Sequence, residues 1–125
     1  FNILFASKGR AFIQDKKLGL YEIKNKERIL IIGKQAGQLN ITGVFVQNSK
    51  ELLIATKNNG IWTWKDEKLI KNDWAINSLL EKHLINNIQE LESKSLIIGT
   101  LRNGVYIVSL QGEVLLHLEQ SSGLI

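Results

Sequence analysis

The sequence predicts an all-β fold made of repeated sheets, each with four short antiparallel strands. Three observations carry this prediction. The chain matches itself when it is shifted by 44 residues, so that Ile41–Trp64 falls on Ile85–Val108 without a gap. Short apolar runs rich in β-branched residues precede turn residues at the same place in both copies. Hydrophobic residues make up 44% of the chain and charged residues 22%, which excludes an intrinsically disordered protein.

The repeat is most evident around the hairpin at the centre of each copy. Eight of the 24 aligned positions are identical. The identical pairs are Ile41/Ile85, Ser49/Ser93, Lys50/Lys94, Leu52/Leu96, Ile54/Ile98, Thr56/Thr100, Asn59/Asn103 and Gly60/Gly104. A third, degenerate copy is expected upstream, where Leu4–Ser7 is similar to Leu53–Thr56 and Gly19–Tyr21 is similar to Gly60–Trp62. About eight additional residues separate these two upstream matches.

Each copy is predicted to contain four strands. They are Ile41–Val46, Leu52–Thr56, Ile61–Trp64 and Leu69–Trp74 in one copy, and Ile85–Leu91, Leu96–Thr100, Val105–Val108 and Glu113–Leu118 in the next. Asn59-Gly60 and Asn103-Gly104 are expected to supply the positive φ angles of a tight hairpin turn. The stretch Ala75–Leu84 is expected to be a link with one helical turn.

The second strand of each copy is apolar at successive positions, as in Leu52–Ala55 and Leu96–Ile98. A strand covered on one face alternates apolar and polar residues, whereas a strand covered on both faces does not. Four-stranded units at a period of 40–45 residues are typical of β-propeller blades. The sequence therefore predicts a partial β-propeller of about two and a half to three four-stranded antiparallel blades. A β-sandwich of about eleven strands is the main alternative, but it does not explain the 44-residue register.

Three units follow from this pattern. Residues 1–38 form a degenerate, incomplete first blade, residues 39–82 a second and residues 83–125 a third. The chain is expected to be a segment of a longer protein, because it contains no Met and begins with Phe1. A propeller ring usually needs at least four blades, so the outer faces of the first and last blades are expected to be bare apolar sheets. Self-association or the rest of the parent propeller would cover them.

Two strings of the sequence resemble a known repeat. LLIATKNNGIW at 52–62 and LIIGTLRNGVY at 96–106 are similar to the core of the two-component regulator propeller repeat, roughly L-W-I-G-T-x-x-G-G-L-Y. The tail Leu118–Ile125 resembles the turn before the next blade in that family. Ala55 departs from the family's glycine, and Leu52 and Leu96 replace the large aromatic residue often found there.

The resemblance implies a cellular context. Such repeats build the periplasmic sensor regions of hybrid histidine kinases and related regulators in Bacteroidetes-type bacteria, typically as rings of seven blades. These sensors often detect oligosaccharides, so the resemblance implies an extracytoplasmic, glycan-responsive sensing segment. The parent protein would carry the kinase domain, and this segment is not expected to be an enzyme. Two other functions stay open: a protein-interaction scaffold and a fragment of a propeller enzyme that acts on carbohydrates.

The candidate ligand-binding residues lie in the loops between second and third strands and in the links between copies. They are Lys57, Asn58, Arg102 and Asn86. Amide and guanidinium groups form directional hydrogen bonds with sugar hydroxyls and carboxylates. The side chains at 57, 58 and 102 differ between copies, so the fold does not dictate them.

No cofactor, catalytic motif or metal site is expected. His83 and His117 are 34 residues apart, and neither has a metal-ligand partner at the usual spacing. Gly33–Gly37 lacks the Gly-Lys-Ser/Thr ending of a phosphate-binding loop. The net charge of +4 comes without clustered basic and aromatic residues, so no nucleic-acid partner is expected. The longest apolar runs span four residues, too few for direct membrane insertion.

Overall fold

The computed structural model describes residues 2–92 and 94–119. The strands of the first sheet are β1 (Asn2–Ser7), β2 (Arg10–Asp15), β3 (Gly19–Lys24) and β4 (Glu27–Ile32). Those of the second are β5 (Ile41–Asn48), β6 (Glu51–Thr56), β7 (Ile61–Lys65) and β8 (Lys68–Lys71). Those of the third are β9 (Ile85–Leu91), β10 (Ser95–Thr100), β11 (Val105–Ser109) and β12 (Val114–Leu118). Helix α1 (Lys34–Gly37) links the first two sheets, and α2 (Asn77–His83) links the last two.

Each sheet is an antiparallel meander in which strands adjacent in sequence are adjacent in space. The prediction of an all-β chain with four-stranded antiparallel sheets is confirmed. Helix α2 is longer than the single turn expected between the second and third copies, with seven residues. Neither α1 nor α2, the helices found in the described residues, is long and apolar enough to cross a membrane. The tail at 120–125, which resembles the turn before a further blade, lies outside the described residues.

The match proposed for the first copy is wrong in its register. Leu4–Ser7 belongs to the first strand of its sheet, whereas Leu53–Thr56 belongs to the second strand of its sheet. The additional residues, around Arg10–Lys17, include β2, the second strand of the first sheet. Asp15 therefore corresponds to Thr56, and both lie four residues before a glycine at the start of the third strand: Gly19 is the first residue of β3, and Gly60 directly precedes β7. The first sheet has its full set of four strands, so this copy is degenerate in sequence and not in strand number.

The conformation expected at Asn59 and Asn103 is also wrong, because neither residue has a positive φ. Only the glycines that follow them are left-handed in these loops, with φ of 77° at Gly60 and 74° at Gly104. The loops are four residues long and are closed by a threonine side chain, so they need one left-handed position and not two. True two-residue turns with two positive φ angles occur elsewhere, for example at Asp66-Glu67.

Two apolar cores lie on opposite sides of the second sheet. The core shared with the first sheet contains Phe12, Leu20, Ile32, Ala36, Leu39, Ile41, Val44, Val46, Leu52 and Ile54. The core shared with the third sheet contains Phe45, Leu53, Ala55, Ile61, Ile76, Leu80, Ile85, Ile88, Leu96, Ile98, Tyr106 and Val108. Successive residues of β6 enter the two cores alternately, since their side chains point to opposite faces. The prediction that this strand is covered on both faces is confirmed.

The outer faces of the first and third sheets are apolar and open. On the first sheet, Leu4, Ile13, Tyr21 and Leu30 form one row across the four strands, on the face away from Phe12. Leu4 is 70% exposed and Leu30 52% exposed. On the third sheet, a row of Gln89, Ile97, Ile107 and Leu116 lies on the face away from the second core. The three sheets do not close a ring.

The first strands of the three sheets lie side by side, because β5 contacts both β1 and β9. The second and third sheets diverge toward their outer strands. A cavity of about 620 Å³ lies there, with Leu53, Thr63 and Ile70 of the second sheet in its lining. Thr63 pairs with both Leu53 and Ile70 across the sheet, so these residues form one row on the face turned toward the third sheet.

Truncation of one isoleucine in the second sheet tests this packing. Ile54 is fully buried in the first core, whereas Ile70 of the same sheet is 60% exposed. We expect Ile54→Ala to lower the free energy of unfolding by about 2–5 kcal/mol, because it leaves a cavity between two sheets. The matched control Ile70→Ala is expected to change it by about 0.5 kcal/mol or less. Urea unfolding measures both, and equal losses would contradict the assignment of the core.

Candidate ligand-binding face

The β2–β3, β6–β7 and β10–β11 loops lie at one end of the three sheets, together with the links that lead into β5 and β9. Backbone hydrogen bonds tie these segments together. The amide of Lys57 donates to the carbonyl of Asn40 at 2.8 Å, and the amide of Ile85 donates to the carbonyl of Lys57 at 2.9 Å. The amide of Leu101 donates to the carbonyl of Leu84 at 3.1 Å. These loops and links are called the loop end below.

One polar side chain closes each of the three loops. Thr56 Oγ1 accepts from the amide of Asn59 at 2.9 Å and donates to the carbonyl of Gly60 at 2.7 Å. Thr100 makes the same two bonds in the third sheet, with Asn103 and Gly104. Because the side chain satisfies the backbone of the loop, the residues that follow it are free to differ in chemistry without altering the turn.

Asp15 takes the place of threonine in the first sheet. Its Oδ1 accepts from the amides of Lys17 at 2.8 Å and Leu18 at 3.1 Å. These two backbone donors, that of Lys17 first, lower the pKa of the Asp15 carboxyl below its ordinary value. Asp15 and Thr56 therefore share one hydrogen bond, since each accepts from the amide three residues further on, Leu18 or Asn59.

Buried amide side chains anchor the links at the loop end. Gln14 is fully buried and donates from Nε2 to the carbonyls of Ala36 at 3.0 Å and Leu39 at 2.8 Å. Asn77 accepts from the amide of Ile61 at 3.0 Å and donates to the carbonyl of Asn72 at 2.8 Å. Gln14 and Asn77 each join a link to the sheet that precedes it in the chain. These hydrogen bonds fix the position of the link relative to that sheet.

A cavity of about 280 Å³ opens at the loop end between the first and second sheets. Its lining consists of Ile3, Lys16, Asn40, Ile41, Thr42 and Lys57. Lys16 Nζ donates to Asn40 Oδ1 at 3.2 Å across the junction of the two sheets. This cavity is called the junction cavity below.

The structure places all four predicted site residues at the loop end, and all four are exposed. It brings only Lys57 into the junction cavity; Asn58, Asn86 and Arg102 do not line it. Their role in ligand binding stays a prediction. Sequence reasoning missed Lys16 as a site residue. Matching Asp15 with Thr56 would have found it, since Lys16 then falls on Lys57.

The larger cavity between the second and third sheets has a mixed lining. Trp74 covers its apolar side, where it packs against Gly112 of the β11–β12 turn. Charges of both signs surround it, from Lys65 and Lys68 on one hand and Glu51 on the other. This mixed lining favours no single ligand chemistry.

The two histidines lie apart, one in β12 and one in helix α2. His117 stacks on Tyr106 with ring centroids 4.0 Å apart, and its Nε2 lies 2.7 Å from the carbonyl oxygen of Asn103. Burial raises the pKa of the Tyr106 hydroxyl above its ordinary value. His83 is the last residue of helix α2, and its backbone carbonyl accepts a hydrogen bond from the amide of Leu101 at 3.3 Å. Among the described residues, no three His, Cys, Asp or Glu side chains form a group that could hold a metal ion.

Comparison with known proteins gives one informative likeness. No model of a known protein family matches the chain, and no curated protein matches it. Among solved structures, the chain is similar to the extracellular domain of the hybrid two-component system BT3049 from B. thetaiotaomicron, with 19% sequence identity and a TM-score of 0.59. The likeness covers 94% of this chain but 16% of that chain. At this identity it shows a shared fold.

The capping carboxylate of Asp15 makes a prediction for acid stability. Its lowered pKa means that the charged form is favoured by folding, so its contribution is present above the ordinary pKa of about 3.9 and is lost as the pH falls through the lowered value. We expect Asp15→Ala to lower the urea midpoint at pH 7 and to lower it less at pH 2–3. Asp15→Asn keeps an acceptor oxygen and should lose less than Asp15→Ala at pH 7. A deficit independent of pH would contradict this role.

Proposed function

We propose that the chain is a three-blade segment of a β-propeller ring in the extracytoplasmic sensor region of a two-component regulator. The observation that carries the proposal is the repeated junction between sheets. At the first junction, Phe12 of β2 faces Ile54 of the next sheet's second strand; at the second, Leu53 faces Ile98. These pairs are equivalent by position, so both junctions use the same two opposite faces of the repeated unit.

Such a junction is heterologous, because it joins two different faces of the repeated unit. Heterologous contacts can be repeated from unit to unit until a ring closes or a filament forms. The adjacent first strands support a ring, since they would line its axis while the outer strands spread apart. The open faces of the first and third sheets are then the two halves of one further junction. This arrangement, rather than any single side chain, is the support for a propeller.

The sensing role rests on two supports of different kind. The repeat strings resemble those of two-component regulators, and the fold is similar to that of an extracellular domain of such a system. The chain spans about a sixth of the length of that extracellular domain's chain, so the sensor, its ligand and its output belong to the proposal. The ligand would bind at the loop end, where Lys57, Asn58, Asn86 and Arg102 are exposed, and an oligosaccharide suits their hydrogen-bonding groups. A signal follows when the ligand has different affinities for two arrangements of the ring.

Two charged substitutions test the repeated junction. Leu30 lies on the open face of the first sheet and Leu116 on that of the third, with 52% and 45% of their side chains exposed. We expect the chain to self-associate by placing one copy's third sheet on another copy's first sheet. Leu30→Glu and Leu116→Glu should each abolish this association, because a carboxylate would be buried without a partner.

Mixing the two variants gives the decisive measurement. Each retains the face that the other has lost, so an equimolar mixture should form a 1:1 dimer and stop there, as measured by analytical ultracentrifugation. Leu79→Glu, on the exposed side of α2, is the matched control and should associate like the unsubstituted chain. Dimers of Leu30→Glu alone would show that like faces pair, which would contradict a ring-type junction.

Ligand binding is tested by titrating the ¹⁵N-labelled chain with a panel of neutral and uronic-acid oligosaccharides. A sensing role predicts saturable amide shifts for at least one sugar, concentrated at the loop end and weakened by Arg102→Ala or Asn58→Ala. Lys82→Ala, on the exposed side of α2, is the control and should not change the shifts. Flat titrations across the panel would count against glycan sensing and favour the protein-interaction scaffold.

A further inference from the structure

We propose that the junction cavity is an oxyanion site, which takes a carboxylate or sulfate group of the ligand. This inference rests on the proposed function, because it names the ligand chemistry of the same loop end. The supports are the charge of the cavity, an unpartnered hydroxyl, a fixed backbone and a comparison within the chain.

Two ammonium groups line the cavity. Lys16 and Lys57 come from neighbouring sheets and both line it, whereas no described residue of the lining is acidic. Asn40 adds an amide with two N–H donors. Ile3 and Ile41 form the remaining wall, and an apolar wall strengthens the attraction between an anion and the two ammonium groups.

Thr42 supplies the second, independent observation. Its Oγ1 is buried and has no hydrogen-bond partner among the described residues. A buried hydroxyl without a hydrogen-bond partner destabilises the fold, so its presence calls for an explanation such as ligand binding. A 120° rotation about χ1 moves the hydroxyl into the place of another Cβ substituent, and in a rotamer that faces the cavity the hydroxyl donates to an anion oxygen.

The backbone that carries the lysines is fixed. The amide and carbonyl of Lys57 both take part in hydrogen bonds to the links, at 2.8 and 2.9 Å. The carbonyl of Lys16 lies against Gly37, where a Cβ would approach it to 3.0 Å. Only the side chains of Lys16, Lys57 and Thr42 must be ordered when an anion binds, which limits the entropic cost.

The second junction shows that the fold does not require this chemistry. The residues equivalent to Asn40, Thr42 and Lys57 are Leu84, Asn86 and Leu101. The backbone hydrogen bond between the first and third of these positions is the same in both sheets, from Lys57 to Asn40 and from Leu101 to Leu84. Two leucines thus form the same backbone hydrogen bond as Asn40 and Lys57. The polar side chains at the first junction are therefore not needed for the turn and call for another explanation.

The test uses NMR titration of the ¹⁵N-labelled 125-residue chain with sodium glucuronate and with sodium sulfate, at an ionic strength held constant with sodium chloride. Glucose is the neutral counterpart of glucuronate. We expect saturable shifts at the amides of Lys16, Thr42 and Lys57 with at least one of the two anions and none with glucose. The glucuronate and sulfate titrations separate a preference for carboxylate from one for sulfate.

Substitutions locate the site. Lys16→Gln and Lys57→Gln should each raise the dissociation constant about fivefold, the effect of about 1 kcal/mol. Lys17→Gln is the matched control, because Lys17 is exposed in the same loop but does not line the cavity. Thr42→Val should weaken binding while leaving the urea midpoint unchanged or higher, since it removes an unpartnered hydroxyl; a merely structural threonine would lower the midpoint.

Four outcomes decide between the hypotheses. Saturable binding that depends on Lys16 and Lys57 but not on Lys17 supports the oxyanion site. Shifts that do not saturate, or that persist in Lys16→Gln and Lys57→Gln, overturn it. If both anions fail while neutral oligosaccharides shift the loop end, the oxyanion site is wrong and the sensing role stands. If every sugar and both anions fail, the two proposals fail together.

Discussion

Coverage of the second sheet on both faces is the constraint from which the rest of the arrangement follows. Leu52 and Ile54 enter one core while Leu53 and Ala55 enter the other, so β6 has no side left for water. Burial of large apolar side chains contributes about 1.5–3 kcal/mol each, and neither core is complete without its own partner sheet. The first and third sheets therefore pack on opposite faces of the second sheet, where they bury the apolar side chains of β6.

This packing also explains why the loops and links that carry the candidate binding residues lie at one end of the sheets. Once the sheets face one another in register, every second-to-third-strand loop and every link must emerge on the same side. Gln14 and Asn77 then tie each link to the sheet before it. A loop closed by its own aspartate or threonine side chain accommodates either lysine or leucine at the next position, as Lys16, Lys57 and Leu101 show. The loop end thus combines a rigid backbone with variable side chains, which is how binding surfaces are commonly built on stable scaffolds.

Strand content and the two-sided burial were predictable because they leave periodic apolar patterns, and Thr56 and Thr100 recur at a fixed distance from their glycines. The first copy was aligned wrongly because Asp15 replaces threonine while keeping its hydrogen-bonding role, an equivalence of function that letter matching does not detect. The left-handed conformation assigned to Asn59 failed for a related reason: a side-chain cap changed the turn type. The junction cavity could not be predicted from the sequence, because Lys16 and Lys57 are 41 residues apart and are brought together only by the packing of the sheets.

A site shared by two sheets has a consequence that a site within one sheet lacks. Lys16 moves with the first sheet and Lys57 with the second, so an anion held by both depends on the angle between the sheets. By the reciprocity of linkage, a ligand whose affinity depends on that angle also shifts the population of angles. In the closed ring that we propose, a change at one junction must be compensated at others, because the total rotation is fixed. Binding at a junction is therefore a physically sufficient way to pass a signal from a ligand to the ring as a whole.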